Sequence, residues 1–168
     1  MEITIRKATV EDAEAIAKVH VASWQTTYKG IMDEGFLQRL SVEKRKELWL
    51  NNIPREENIV LVAELDSEIV GFADGSPVKE GEYPGYDGDV TSIYFYEKHQ
   101  GKGFGKKLLN KLLDEFRQQG FTSAIVKVLE DNAACKFYEA LGARRIDENI
   151  IEVAGGKANL LIYAWDEL

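Results

Sequence analysis

The chain has 168 residues, of which 45% are hydrophobic and 30% are charged, and its formal net charge is −8. This length and composition fit one globular domain over residues 1–168 and exclude a disordered or fibrous chain. The acidic balance disfavours nucleic acid and anionic membranes as partners. No uninterrupted apolar run exceeds six residues and the N-terminus has no signal-like segment, so we expect a cytoplasmic protein without a membrane span.

A single cysteine and two histidines limit the chemistry further. Cys135 has no partner for an intrachain disulfide, so we expect it to pack as a small residue. His20 and His99 offer no metal-ligand spacing, and we expect no metal site. The sequence leaves the oligomeric state open, including a homodimer.

The N-terminal part of the chain predicts a strand followed by helices. The segment "EITIRKA" alternates between polar and apolar residues, as a half-buried strand does. Helical spacing follows, with Thr9 and Asp12 placed as a capping box. A further helical stretch, "DEGFLQRLSVEKRKELWLNNI", is interrupted near Ser41 and ends at Pro54.

The middle of the chain predicts three strands. The β-rich runs "NIVLVAEL" and "EIVGFADGS" flank the turn residues Asp66 and Ser67, which indicates an antiparallel hairpin. Residues 77–89 collect prolines and glycines and predict a surface loop. The run "VTSIYFY" then has β-branched and aromatic residues on both faces, as a strand covered on both sides does.

The C-terminal part predicts a strand, helix, strand, helix unit and a final hairpin. An apolar stripe in "GKKLLNKLLDEF" indicates a helix that ends before Gly120. After the strand "TSAIVKVL", a short helix is capped by Asn132 and ended by Gly142. The last hairpin turns at Gly155 and Gly156. The predicted fold class is therefore α/β (α+β), with a mixed central sheet flanked by helices on both faces.

The helix that follows the central strand begins in an unusual way. Gly101, Gly103 and Gly105 open it, and Lys106 and Lys107 stand in its first turn, where a positive charge typically costs about 0.3 to 1 kcal/mol. A bound anion would reverse this cost, because backbone N–H groups, the helix dipole and the lysines would then act on the same charge. A flexible turn with solvated lysines explains the same residues, and the local sequence favours neither explanation.

Two common phosphate-binding motifs do not fit this segment. The P-loop requires Ser or Thr after its Gly-Lys pair, but Lys107 follows Lys106 here. The dinucleotide fingerprint G-x-G-x-x-G, counted from Gly101, requires glycine at the position of Lys106.

The pattern that fits is Q-x-x-G-x-G at residues 100–105, between a strand and a helix. It resembles the pyrophosphate-binding signature of the GNAT superfamily of acyl-CoA-dependent N-acyltransferases, R/Q-x-x-G-x-G/A. The segment "NAACKFYEALGA" resembles a second motif of this family, N-x-x-A-x-x-F-Y-E-x-x-G-F, with Ala143 in place of the closing Phe. The residues that carry this second resemblance are Asn132, Phe137, Tyr138, Glu139 and Gly142.

The resemblance implies acetyl-CoA as co-substrate and no metal. Backbone N–H groups after Gln100 would hold the pyrophosphate, and the central strand would pair with the pantetheine arm, where an N–H polarises the thioester carbonyl. The cofactor-binding residues that it implies are Ile93, Tyr94, Phe95, Gln100, Gly101, Lys102, Gly103, Phe104, Gly105, Lys106, Asn132 and Tyr138.

The same resemblance implies catalytic roles for two residues. Tyr138 matches the family tyrosine that protonates the departing thiolate, although an aromatic residue on a short helix also suits a core. Asp89 lies eleven positions before Gln100, where the family often has an acidic base. Direct proton removal, action through water and a capping role are all open for Asp89, and Trp24, Tyr28 and Asp89 are the candidate acceptor-binding residues.

The predicted function is transfer of an acetyl group to a small cationic primary amine by direct attack in a ternary complex. Net acidity supports the cationic acceptor, since acidic residues are expected to border the acceptor side: Asp33, Glu34, Glu80, Glu82, Asp87 and Asp89. A protein or peptide N-acetyltransferase and a non-catalytic acyl-CoA sensor domain are the alternatives.

Overall fold

The computed structural model describes residues 2–168. The strands in this part of the chain are β1 (Thr4–Lys7), β2 (Ile59–Leu65), β3 (Glu68–Pro77), β4 (Gly88–Phe95), β5 (Ala124–Leu129), β6 (Arg144–Val153) and β7 (Gly156–Trp165). The α-helices are α1 (Ala13–Thr27), α2 (Glu34–Gln38), α3 (Val42–Asn52), α4 (Phe104–Gln118) and α5 (Ala134–Ala140). Single 3₁₀ turns precede α1 and follow β4.

All strands join one sheet in the order β1-β2-β3-β4-β5-β7-β6. Neighbouring strands are antiparallel except β4 and β5, which pair in parallel. The mixed central sheet predicted from the sequence is therefore confirmed. Within residues 2–168, no helix is both long and apolar enough to cross a bilayer.

Helices cover the two faces of the sheet. On one face, α1 and α3 pack Ile16 and Trp49 against Val62 and Phe72. On the other face lies α4, whose apolar stripe is fully or almost fully buried: Leu108, Leu109, Leu112, Leu113 and Phe116. Because each large apolar side chain contributes roughly 1.5 to 3 kcal/mol on burial, this stripe fixes α4, and with it the glycine turn, on the sheet.

Two local predictions are confirmed by backbone geometry. Ser41 separates α2 from α3, and its hydroxyl accepts a hydrogen bond from the N–H of Lys44 over 3.2 Å. The β2–β3 hairpin turns at Asp66 and Ser67, whose φ values of 52° and 67° are the left-handed conformation that a tight two-residue turn needs.

Two strand boundaries differ from the prediction. The sequence predicts a loop at Gly88 and Asp89, but these residues begin β4, where they pair with Pro77 and Ser76. The glycine suits this position because the Phe116 ring occupies the space of a Cβ, only 2.8 Å away. Strand β6 begins at Arg144, before the predicted hairpin, because the polar residues of this exposed edge strand hide the usual apolar alternation.

The pairing of β4 with β5 ends early. The parallel register covers three pairs, the last of which joins Val90 to Val126. The register of β4 with β3 shifts at the same point, since Gly75 pairs with Val90 and Asp74 pairs with Ser92, so Thr91 is the extra residue of a β-bulge. Such a bulge bends and twists its strand. Beyond it, β4 and β5 diverge and open a wedge in the sheet.

Candidate active site

A cavity of about 980 Å³ occupies the wedge between β4 and β5 and extends to the start of α4. Most of the residues predicted to form the site line it: Trp24, Tyr28, Ile93, Tyr94, Phe95, Gln100, Gly101, Gly103, Gly105, Lys106, Asn132 and Tyr138. Segments that are distant in sequence therefore meet around one space of the size that holds small ligands.

Three predicted residues lie outside the lining. The side chain of Phe104 is 8% exposed and packs in the core beneath α4, so only its backbone is available at the turn. Lys102 is exposed on the turn. Asp89 belongs to the part of β4 that still pairs with β5, below the point where the strands separate.

The glycine turn exposes backbone donors at the N-terminus of α4. Gly101 and Gly103 adopt φ values of 74° and 81°, and a Cβ at either position would meet no protein atom within 4 Å. The turn therefore needs glycine for its backbone conformation and not for space inside the protein. Within residues 2–168, the N–H groups of residues 101–106 find no backbone acceptor, and Lys107 is the first to donate, to Gly103 over 3.4 Å. This arrangement suits an anion.

The side chain of Gln100 ties the turn to the central strand. Its Nε2 donates to the carbonyl oxygen of Phe95, the last residue of β4, over 3.1 Å. The end of β4 and the start of the anion-binding turn are thereby held in one geometry.

Tyr138 faces the cavity from α5. Its side chain is 5% exposed, and its ring packs edge-on against Trp165 with a centroid separation of 6.1 Å. Burial raises the pKa of Tyr138 well above its ordinary value, and the nearby Tyr28 raises it further. The phenol is thus protonated over the whole neutral range, as a proton donor must be.

A cluster of hydroxyl and aromatic groups lies near Tyr138. The hydroxyls of Tyr28 and Tyr94 are 3.0 Å apart, and Asn132 Nδ2 donates to Tyr28 over 3.4 Å. The rings of Trp24 and Tyr28 meet edge-on at 4.9 Å. Since Asn132 Oδ1 also accepts from the N–H of Ala134 at the start of α5, this one side chain joins α5 to the α1 side of the cavity.

The match of Asn132 to the second family motif is wrong by one position. The motif has five residues between its Asn and its Phe, whereas four residues separate Asn132 from Phe137. Counted back from Phe137, the motif begins at Asp131, and its Ala falls on Ala134. Asn132 still lines the cavity.

Two carboxylates lie near each other on the face of the sheet covered by α1. Burial raises the pKa of Asp89 to about 6, while the charge of Lys79 opposes this rise. Burial also raises the pKa of Asp74 to about 7. Asp74 accepts a hydrogen bond from the hydroxyl of Ser92. The sequence does not single out either residue, because both lie inside strands that are defined by their apolar neighbours.

The α1–α2 connection and the β6–β7 turn close one end of the cavity. The N–H of Asp33 donates to the carbonyl oxygen of Ala154 over 3.1 Å. Met32, Ile151 and Val153 line the cavity beneath this contact. This roof could not be predicted from the sequence, because a hairpin pattern does not show what the hairpin covers.

Most acidic residues expected around the acceptor have local partners. Glu82 forms an ion pair with Lys127, and Asp87 accepts from the N–H of Thr122 over 2.8 Å. Asp33 caps α2 by accepting from Phe36. Lys127 lines the cavity, whereas no Asp or Glu among the described residues does. No group of three His, Cys, Asp or Glu side chains in residues 2–168 is arranged to hold a metal ion.

Comparison with known proteins identifies the class. The model of the Acetyltransferase (GNAT) family matches residues 20–143. The uncharacterized N-acetyltransferase YuaI of Bacillus subtilis is 36% identical over 167 residues, which cover 99% of this chain and 94% of that protein. The chain therefore belongs to the GNAT family and is an acyl-CoA-dependent N-acetyltransferase, as its two motifs predicted.

A sequence match and a crystal structure, both from Thermoplasma acidophilum, extend the comparison. Its spermidine N(1)-acetyltransferase is 28% identical over 138 residues, covering 79% of this chain and 82% of that protein. The crystal structure of the PaiA N-acetyltransferase from this organism, in complex with coenzyme A, superimposes with a TM-score of 0.77 at 26% identity, covering 96% of this chain and 98% of that one. The predicted fold class is confirmed by this likeness.

Proposed function

We propose that the protein transfers the acetyl group of acetyl-CoA to the primary amine of a small cationic molecule, by direct attack within a ternary complex. The observation that carries the proposal is the closed end of the cavity, where Asp33 bonds to Ala154. A polypeptide terminus would need an open groove at this end. The cavity lining that Met32 and Val153 form at this end supports a small acceptor instead.

Acetyl-CoA, when bound, supplies the acetyl group as a thioester. The free N–H groups of residues 101–106, with Lys102 and Lys106, would hold its pyrophosphate, and Gln100 would keep the turn in place. The unpaired edge of Ile93–Phe95 would hold the pantetheine arm and direct an N–H at the thioester carbonyl, where charge develops during attack.

Tyr138 would act as the proton donor. As nitrogen forms its bond to the acyl carbon and the C–S bond breaks, the phenol gives its proton to the sulfur. The nitrogen of the new C–N bond then carries an extra proton, and this proton passes to the phenolate of Tyr138. The buried position of Tyr138 and its raised pKa support this role, because the hydroxyl begins each cycle protonated.

Asp89, the base implied by family resemblance, does not line the cavity, so a proton could reach it from the acceptor only through water. Trp24, on α1, and Tyr28, at the C-terminal end of this helix, would contact the acceptor. Their rings suit a cationic amine, because an ammonium group is attracted to an aromatic face by about 0.5 to 2 kcal/mol.

An amine screen with purified protein and acetyl-CoA, which measures free thiol, tests the proposal. The panel contains spermidine, tyramine, phosphinothricin, L-methionine sulfone and a peptide with an N-terminal alanine. We expect turnover of one or more small amines and none of the peptide. Turnover of the peptide alone would establish the protein-modifying alternative. Acetyl-CoA binding measured by calorimetry, without turnover of any acceptor, would favour the sensor domain.

A further inference from the structure

A buried carboxylate lies behind the wall of the cavity. Asp74 is 8% exposed and accepts a hydrogen bond from the hydroxyl of Ser92, its cross-strand partner on β4. Ser92 lines the cavity and immediately precedes Ile93–Phe95, the segment proposed to hold the thioester. One hydroxyl therefore connects the space for the acceptor with a carboxylate that solvent barely reaches.

We propose that Asp74, acting through Ser92, accepts the proton that the amine must lose before it attacks the thioester. The inference rests on the proposed function and supplies a carboxylate base, since no Asp or Glu of the described residues lines the cavity. The hydroxyl hydrogen of Ser92 is directed at Asp74, so the Ser92 oxygen offers its lone pairs to a donor in the cavity.

The proton balance of this step is simple. The ammonium group gives one proton to Ser92 Oγ, and Ser92 gives its own hydroxyl proton to the carboxylate of Asp74. The nitrogen keeps the electron pair with which it forms the C–N bond. Asp74 later returns its proton to solvent by the reverse path through Ser92, once the acetylated product has left.

The surroundings of Asp74 favour proton uptake. Burial raises its pKa to about 7, the bond from Ser92 opposes this, and the negative charge of Asp89 raises the pKa further. On the other side, β2 presents the apolar Val60. Lys79, in the loop after β3, lowers the pKa of Asp89 and so acts mainly on that residue.

Two helices bring further titratable and charged groups to this face of the sheet. His20 of α1 contacts the rings of Phe72 and Tyr94, and burial lowers its pKa to about 4, so it is neutral at pH 7. Arg45 of α3 lies 5.5 Å from the ring centroid of Trp24 and depresses the pKa of His20. Burial thus brings the pKa of Asp74 into the neutral range, as suits a general base.

The first test is the pH dependence of kcat/KM with the best small amine of the screen. If ionised Asp74 is required, the wild-type value falls as pH drops through about 7, the pKa of this carboxyl. We expect Asp74→Asn to lower kcat/KM roughly 100-fold and to abolish the fall of kcat/KM at low pH. Ser92→Ala should behave similarly, whereas Ser92→Thr, which keeps a hydroxyl, should retain this fall. Asp114→Asn, on the exposed side of α4, is the matched control.

The second test needs no activity. Carbon-13 labelled aspartate in the protein without acceptor should show a carboxyl signal that titrates near pH 7 and is absent from Asp74→Asn. If no small amine is turned over, the proposed function fails, and this titration still tests the inference. A pKa of Asp74 below 5 in this titration would overturn the inference, as would a pH dependence of kcat/KM in Asp74→Asn equal to that of the wild type. The inference would also fail if Asp89→Asn, and not Asp74→Asn, removed the fall of kcat/KM at low pH. Should Asp74→Asn not fold, the contrast between Ser92→Ala and Ser92→Thr decides.

Discussion

Val90 pairs with Val126 in parallel register, and this is the last pair that joins β4 to β5 in the described chain. The next residue of β4, Thr91, is the bulged residue opposite β3. The bulge and the end of pairing thus fall at the same place. Because each strand keeps its other neighbour, the sheet stays continuous while one backbone edge of Ile93–Phe95 is freed for a ligand.

Replacing Gly103 by valine should weaken acetyl-CoA binding by more than tenfold. Gly103 has a φ of 81°, which a β-branched residue rarely adopts, so the turn would change shape and its N–H groups would no longer converge. Calorimetry with acetyl-CoA measures the change in affinity.

Gly81→Val is the matched control for this variant. Gly81 has the same φ of 81° and equally open surroundings, but it lies in the β3–β4 loop outside the cavity lining. The two variants should lose similar stability, while Gly81→Val keeps wild-type affinity. Unchanged affinity in Gly103→Val would show that the glycine turn does not bind the pyrophosphate.

Replacing Tyr138 by phenylalanine should lower kcat by roughly 10² to 10⁴ while the protein stays folded. The ring would keep its contact with Trp165, and only the hydroxyl would be lost. Steady-state kinetics with acetyl-CoA measure the effect. Tyr86→Phe removes a hydroxyl that bonds Asp166 away from the cavity and should keep wild-type turnover. Wild-type kcat in Tyr138→Phe would leave Tyr138 with a packing role alone.

The parts of the site that the sequence predicted are local in the chain. A glycine turn and the helix it opens lie within a few residues, so residues 100–106 could be recognised as one unit. Asp74 and Ser92 are 18 positions apart, and their contact depends on a register that the bulge at Thr91 shifts. Apolar alternation does not encode this shift, so neither residue could be assigned to the site.

Two further features of the fold could not be predicted from the sequence for the same reason. The roof over the cavity depends on the contact of Asp33 with Ala154, which are separated by most of the chain. The glycine at position 88 predicts a loop, whereas in the structure it lies in a strand, where the ring of Phe116 occupies the space of a side chain. In both cases the deciding interaction is between residues that are distant in sequence.

Protonation of His20 should destabilise the fold in mild acid. His20 Nδ1 accepts from Trp49 Nε1 over 3.2 Å, and burial lowers its pKa from 6.5 to about 4. Between these values the unfolded chain binds more protons than the folded one, so this contribution to stability falls as the pH falls.

The variant His20→Asn isolates this effect, because asparagine keeps an acceptor for Trp49 and does not titrate. Between pH 7 and pH 5, wild-type protein should lose about 2 kcal/mol relative to the variant. Urea unfolding at both pH values measures the difference. The comparison also removes the opposite contributions of Asp74 and Asp89, whose raised pKa values are common to both proteins. Parallel pH dependence of the two proteins would refute the prediction.

The preference for a cationic acceptor should arise from aromatic contact more than from long-range charge. Lys127 lines the cavity and is paired with Glu82, whereas no carboxylate of the described residues lines it. Attraction by surface charge is screened over about 10 Å at 0.1 M salt, while contact with an aromatic face is affected much less. We therefore expect kcat/KM for cationic amines to exceed that for neutral or acidic ones, with a weak dependence on salt.

Trp24→Leu separates the two sources of this preference. The variant removes the ring that meets Tyr28 at 4.9 Å and should lower kcat/KM for cationic amines by about tenfold, which lies within the range expected for a cation–π contact of about 0.5 to 2 kcal/mol. The affinity for acetyl-CoA should stay unchanged, since Trp24 lies on α1, away from the glycine turn. Amines of increasing positive charge, assayed at low and high salt with both proteins, give the measurement. A steep salt dependence of kcat/KM that survives in Trp24→Leu would assign the preference to surface charge. A preference for acidic acceptors would exclude a cationic substrate while leaving the acetyltransferase assignment intact.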